Sequence, residues 1–240
     1  MARGKTPSPP AESEGPRRGA GVARVYQILK GEIIALTLAP GSTIDETQLA
    51  ERFDMSRTPI REAMVRLAAE GFITTLPNRA TIVSQIDFLG LPQFFDALTL
   101  MYRVTTRLAA TRRSEADLAA IRALQIRYQE AVAAQDVVAM ITVNRDFHVA
   151  IAEAGGNRYF VDLFSRLLDE GLRIVRLYYS SFNDALPGQY VEEHDRMIDA
   201  IAGRDPDGAD SIAAAHADQI VRQIRAFISA ESRDSLGMTL

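Results

Sequence analysis

From Ile86 onward the apolar residues of this chain recur at three- and four-residue spacing and nowhere alternate with polar ones, a pattern that helices satisfy and strands do not. Six helical segments are expected, over about 87–111, 115–134, 136–153, 157–180, 187–202 and 206–230. They are separated by turn or breaker signals at Arg113-Ser114, Gln135, Gly155-Gly156-Asn157, Leu186-Pro187-Gly188 and Gly203-Arg204-Asp205-Pro206. Helices joined this tightly pack beside their neighbours, so the reading is an all-α bundle of six or seven helices.

The first third is built differently. Val22, Val25, Ile28, Leu29, Ile33 and Leu36 form a helical stripe that stops at Leu38-Ala39-Pro40-Gly41. A short helix from about Glu46 to Phe53 follows, then a tight connection at Asp54-Met55 and a further helix to about Glu70. Gly71 suits the left-handed position just past a helix end. Residues 72–76 and 81–83 read as two short strands around Pro77-Asn78-Arg79-Ala80. The expected organisation is a disordered arm over 1–20, a three-helix unit with a two-stranded hairpin over 21–84, and a linker over 85–91. The helical domain then occupies 92–230 and a tail 231–240, so the fold class is mainly α.

Composition narrows the chemistry. The 240 residues contain no cysteine, which excludes disulfides, thiolate metal sites, iron–sulfur clusters and a cysteine nucleophile. No apolar run approaches the roughly 18–20 residues that cross a bilayer. The first twenty residues lack the apolar stretch of a secretory signal, so no membrane partner and a cytoplasmic location are expected. The net charge of −4 is uneven: 11 Lys and Arg face 9 Asp and Glu through Ser84, and 16 face 22 thereafter. An anionic partner would meet the first third.

The helix beginning near Thr58 shows how. At about 100° per residue with Arg57 at zero, Ile60, Ala63, Met64 and Leu67 share one apolar arc, while Arg57 and Arg61 emerge side by side just outside it. Thr58-Pro59 reads as a hydroxyl cap followed by proline at the first helical position. Two arginines on the opening turn suit bidentate contacts to guanine in a major groove, although an ordinary surface helix with a Glu62–Arg66 pair has the same periodicity.

The wording of residues 45–73, above all Ser56-Arg57-Thr58-Pro59-Ile60-Arg61-Glu62-Ala63, with Leu-Ala-Pro-Gly at 38–41, closely resembles the winged helix-turn-helix of GntR-family bacterial transcription regulators. The resemblance implies a double-stranded DNA operator as partner. It places Arg57 and Arg61 on bases or adjacent phosphates, Thr58 on the backbone, and Asn78 and Arg79 at the wing tip against the minor groove. Ala80 stands where the family usually has glycine, and Arg66 is assigned to a phosphate or a salt bridge. Palindromic operators pair with two-fold symmetry, so a homodimer is implied.

All three histidines lie in the helical half, each on an apolar stripe: His148 in one arc with Met140, Ile141, Asn144, Phe147 and Ile151; His194 with Val191, Ile198 and Ile201; His216 with Ile212, Ile220 and Ile224. Burying an imidazole without a partner is costly. Separate hydrogen bonds in the core or a shared metal ion would each answer the cost, since imidazole is a common metal ligand.

This half, from about Leu89 to Phe227, is similar to the FCD effector-binding domain of the FadR subfamily. The similarity rests on Asn144-Arg145-Asp146-Phe147-His148, Gly155-Gly156-Asn157, residues 193–198 and Ala215-His216. It implies a divalent metal, zinc or nickel, held by the three histidines and by the residue four before the first, which the metal-binding members supply as Asp and which here is Asn144. A small carboxylate effector would complete the ion's coordination. Leu98 stands where many such domains carry an arginine; Arg103, Arg107, Arg173 and Arg176 are the candidates to replace it. The expected function is a ligand-responsive regulator, a repressor by family habit, and not an enzyme. Two rivals stand beside it: a metalloenzyme using the histidines, opposed by the absence of an acidic base on the same arcs and of His-Glu-x-x-His, and a metal-free DNA-binding regulator.

Overall fold

A computed structural model describes residues 18–77 and 79–235. Helix α1 (Arg18–Ile34) packs across α3 (Arg57–Ala69), and α2 (Glu46–Phe53) closes the triangle. Their shared core is Val25, Leu29, Ile33, Leu49, Phe53, Ile60, Ala63 and Leu67, all buried. The α2–α3 connection turns because Asp54 adopts a left-handed conformation (φ 51°), which sends the Met55 amide back to the Ala50 carbonyl. Helix α3 ends as the sequence indicates: Gly71 is left-handed (φ 78°), and the Phe72 and Gly71 amides reach the Leu67 and Ala68 carbonyls.

Several features differ from expectation. Helix α1 begins at Arg18, inside the supposed arm, and stops at Ile34, with Leu36 left-handed (φ 62°) two residues later. The wing has three strands, not two: β1 (Thr43–Ile44) pairs antiparallel with β3 (Thr81–Val83), whose other edge pairs with β2 (Ile73–Thr75). A two-residue strand has no period for a sequence to show; its partner decides it. In the linker, the Asp87 carboxylate accepts from the Leu89 and Gly90 amides, so α4 starts at Leu91 and not at 87.

The second half is helical throughout its described residues: α4 (Leu91–Arg112), α5 (Glu115–Ala134), α6 (Val137–Ala154), α7 (Arg158–Ser180), α8 (Gly188–Ala202) and α9 (Pro206–Ser235). Helix α9 continues into the expected tail. Its partners are α4 along most of its length, then α8 and α7, while α5 packs on α6. The starts of α5, α6 and α7 and the end of α8 are chemically enforced. Ser114 and Asp117 form a reciprocal capping box at α5, Asp136 caps α6 through the Ala139 amide, and Asn157 caps α7 through that of Tyr159. Arg113, 6% exposed, donates to the Ile201 and Ala202 carbonyls and so closes the free end of α8. No helix among the described residues is long and apolar enough to cross a membrane.

Candidate DNA-reading face and histidine centre

On α3 the buried arc is the expected one, and Arg57, Thr58, Arg61 and Glu62 lie on the exposed side. The cap is not the expected one. Ser56 occupies the N-cap position with extended backbone (ψ 162°) and no side-chain hydrogen bond, so Thr58 and Pro59 are the second and third helical residues. Proline is tolerated there because the first turn's N–H groups have no helical acceptor anyway. Arg61 is 62% exposed and its Nε donates to Glu46 at 2.7 Å.

Arg66 lies on the surface of the unit but is turned back onto α1, its side chain 55% exposed. Its guanidinium lies 3.7 Å from the Tyr26 ring centroid and donates to Glu70 at 3.1 Å, where Lys30 (2.9 Å) and the Tyr26 hydroxyl (2.6 Å) also bind. Of the two alternatives for this residue, the structure displays the salt bridge, made to Glu70 and not to Glu62. At the wing tip Arg79 is exposed and is itself the left-handed residue (φ 66°), its amide bound to Leu76. Ala80 has no positive φ, so its position does not demand glycine. Asn78 lies outside the described residues.

The three histidines come together. His148 on α6, His194 on α8 and His216 on α9 are 1%, 1% and 5% exposed, with ligand atoms all within 4.8 Å of one another. Ring centroids lie 5.0 Å (His148–His194), 5.4 Å (His148–His216) and 5.3 Å (His194–His216) apart. Phe147 stacks on His194 at 4.3 Å and Tyr102 stands edge-on to His148 at 4.6 Å, so aromatic faces fix the rings.

Hydrogen bonds also fix the tautomers. The Gln125 amide nitrogen donates to the Val191 carbonyl and to Asp195, which leaves its oxygen to accept from His194 Nδ1 at 3.1 Å. The Glu193 carboxylate accepts from His216 Nδ1 at 2.7 Å. Both rings then donate from Nδ1 and leave Nε2 for the centre, the arrangement that outer-shell partners impose on metal-binding histidines. Nε2 of His148 and of His216 is buried with no partner. Desolvation, reinforced by the neighbouring imidazoles, holds His148 and His194 well below the usual histidine range, in the neutral form that binds metals. Converging ring nitrogens, two of them orphaned, fit a divalent ion with nitrogen ligands. Asn144, 7% exposed, lines with His216 a cavity of about 10 Å³ that Val175, Tyr178, Tyr179 and Leu186 complete.

Two expected outcomes follow. Gln125→Leu removes the acceptor that orients His194 and should weaken metal binding by about 10–100-fold in a competition titration. The metal-free protein should also lose stability in acid: unfolded histidines protonate below about pH 6.5 while the depressed His148 and His194 stay neutral in the fold. Their contribution is whole above that pH and declines as pH falls towards the folded values. Urea midpoints at pH 7.5 and 5.5 in chelator would show it, with a shallower difference in His148→Leu.

The sequence did not show Gln125 or Glu193 at this centre. Glu193 answers the absence of an acid: one is present, behind His216 and not facing the inward Nε2 atoms. Only its place one residue before His194 on an i, i+3, i+4 stripe hinted at it. Among the effector-arginine candidates, Arg103 is bound bidentately by Asp210 (2.9 and 3.0 Å) and Arg107 by Asp207 (2.5 Å), both on the outside of α4. Arg176 is clasped by Asp184 (2.6 and 3.2 Å) and Ser180 (2.7 Å). Arg173, 8% exposed, donates to the Ser84 carbonyl just after β3, beside a cleft of about 490 Å³ between the two halves. None of the four lines the small cavity at His216.

A winged helix-turn-helix joined to an all-helical domain is the build of a transcription regulator and not of an enzyme. Residues 22–83 match the family described as bacterial regulatory proteins, gntR family, and residues 93–219 match the FCD domain. The chain belongs to the GntR family of transcription regulators, with an FCD domain as its helical half. It is 24% identical over 206 residues to the HTH-type transcriptional repressor RspR of Escherichia coli K12, covering 84% of this chain and 89% of that one. It is 26% identical over 188 residues to the regulator McbR of the same organism, covering 77% and 84%. The solved structure of E. coli McbR/YncC superposes with a TM-score of 0.72 at 23% identity, over 86% of this chain and 97% of that one.

Proposed function

We propose that the protein is a cytoplasmic repressor that binds a palindromic operator as a dimer and releases it when a small carboxylate binds at a divalent metal, zinc or nickel. The single observation that carries the reading is the convergence of His148, His194 and His216 with two buried, unpartnered Nε2 atoms in a domain fused to a DNA-reading unit. Those three side chains and Asn144 hold the ion. It supplies positive charge that four neutral donors leave uncompensated, and so favours an anionic ligand. Arg57, Thr58 and Arg61 enter the major groove, while Arg79, with Asn78 beside it in the sequence, follows the minor groove.

The chain's own geometry supports a route for the response. A cavity of about 10 Å³ holds at most one water, so an effector enters only if the 181–187 segment carrying Leu186 moves. That movement frees Arg176 from Asp184 and offers it to the carboxylate. Helix α7 bears Val175, Tyr178 and Tyr179 at the cavity and Arg173 on the Ser84 carbonyl, which links effector site and wing through one rigid element.

Elemental analysis of protein purified without a nickel column should find about one zinc or nickel per chain. Calorimetric titration with small hydroxy, keto and sugar acids should give binding that chelator abolishes, and the bound ligand should weaken operator binding. Metal-free protein that still answers its effector sinks the metal reading. Sedimentation as a monomer on operator DNA sinks the dimer.

A further inference from the structure

The exposed face of α3 carries one large group that hydrogen-bonding chemistry does not use. Val65 is 69% exposed, the one large apolar side chain so exposed among the described residues of the winged unit. On a wheel of about 100° per residue, with Arg57 at zero, Arg61 stands near 40°, Val65 near 80°, Thr58 near 100° and Glu62 near 140°. Val65 therefore occupies the middle of the reading face, flanked by Arg61 and Glu62 one turn earlier. It rises about 6 Å along the axis from Arg61, within the roughly 12 Å width of a major groove. A lone exposed valine elsewhere would call for no explanation. Here it sits where a duplex must cover it once Arg57 and Arg61 reach base edges, and the major groove offers one apolar group, the thymine C5-methyl.

We propose that Val65 is a specificity-determining residue that packs its isopropyl group on a thymine methyl in each half-site, next to the base pair read by Arg61. The inference rests on α3 being the groove-entering helix. It goes beyond that reading by assigning this chain a base preference that its arginines do not encode. Polar neighbours sharpen the preference, because cytosine at the same place would present an amino group to a side chain unable to accept from it.

The test uses the full-length protein and operators enriched from a random duplex pool. Each thymine of the enriched half-site is replaced in turn by deoxyuridine, which keeps the pairing and removes only the methyl. One thymine per half-site should show about a fourfold loss of affinity for the wild type, the worth of one buried methyl-sized group. Val65→Ala should bind thymine and uracil duplexes equally at that position, and Val65→Thr, which keeps one methyl, should retain part of the difference. Both substitutions are at an exposed position, and circular dichroism should show them folded. Uracil tolerated at every position, or discrimination undiminished in Val65→Ala, overturns the contact while leaving α3 as the reading helix. Failure to enrich any sequence overturns the reading helix and the contact with it.

Discussion

In the presence of chelator, His148→Leu should be more stable than the wild type by about 1–2 kcal/mol, because it removes a buried nitrogen that no donor satisfies and refills a similar volume with apolar atoms. The same substitution should abolish the stabilisation that zinc or nickel gives the wild type, which reaches about 2.7 kcal/mol at one hundred times the dissociation constant. The two halves have opposite signs, and that makes the experiment discriminating. A histidine retained for packing against Tyr102 and Phe147 would lose stability on replacement and leave metal binding unmoved. Urea titrations of both proteins, with and without metal, decide it. A wild type indifferent to metal, or a variant weaker than the wild type in chelator, removes the metal centre from the account.

Arg61→Ala should weaken operator binding by about 1–3 kcal/mol and relax the base preference at one position per half-site. In the free protein Arg61 is held by Glu46, but an exposed pair of this kind is worth at most about 1 kcal/mol, so a guanine edge should outcompete it. Glu46→Gln should accordingly tighten DNA binding, since it releases the arginine and removes a negative charge from the phosphate-facing surface. Arg103→Ala, on the far domain, serves as the control. Anisotropy titrations at fixed salt measure all three; an unchanged affinity and preference in Arg61→Ala would contradict the assignment of α3. Arg66→Ala should act differently, lowering the stability of the winged unit through the lost Tyr26 stack while leaving base preference alone.

Much of this architecture was legible because local rules and tertiary demands agree. Helices α5 and α6 were placed to within a residue, as Ser114 with Asp117, and Asp136, mark their starts chemically. The buried arc of α3 followed from period alone, and so did the burial of all three histidines. What failed was non-local. Strand β1 exists because β3 lies beside it. The start of α4 depends on the Asp87 carboxylate curling back onto its own loop, and the cap of α3 fell on Ser56 where Thr58-Pro59 looked the better signal.

By itself the sequence determined two domains, a helix presenting Arg57 and Arg61, and three imidazoles that had to be buried: periodicity and capping act within a few residues and are written in their order. Only the tertiary structure decided that the imidazoles share one centre and that Gln125 and Glu193 orient two of them. It alone assigned Arg66 to Tyr26 and Arg173 to the wing. These pairings join residues many positions apart, and their partners are chosen by how the helices pack, a choice that no local pattern encodes.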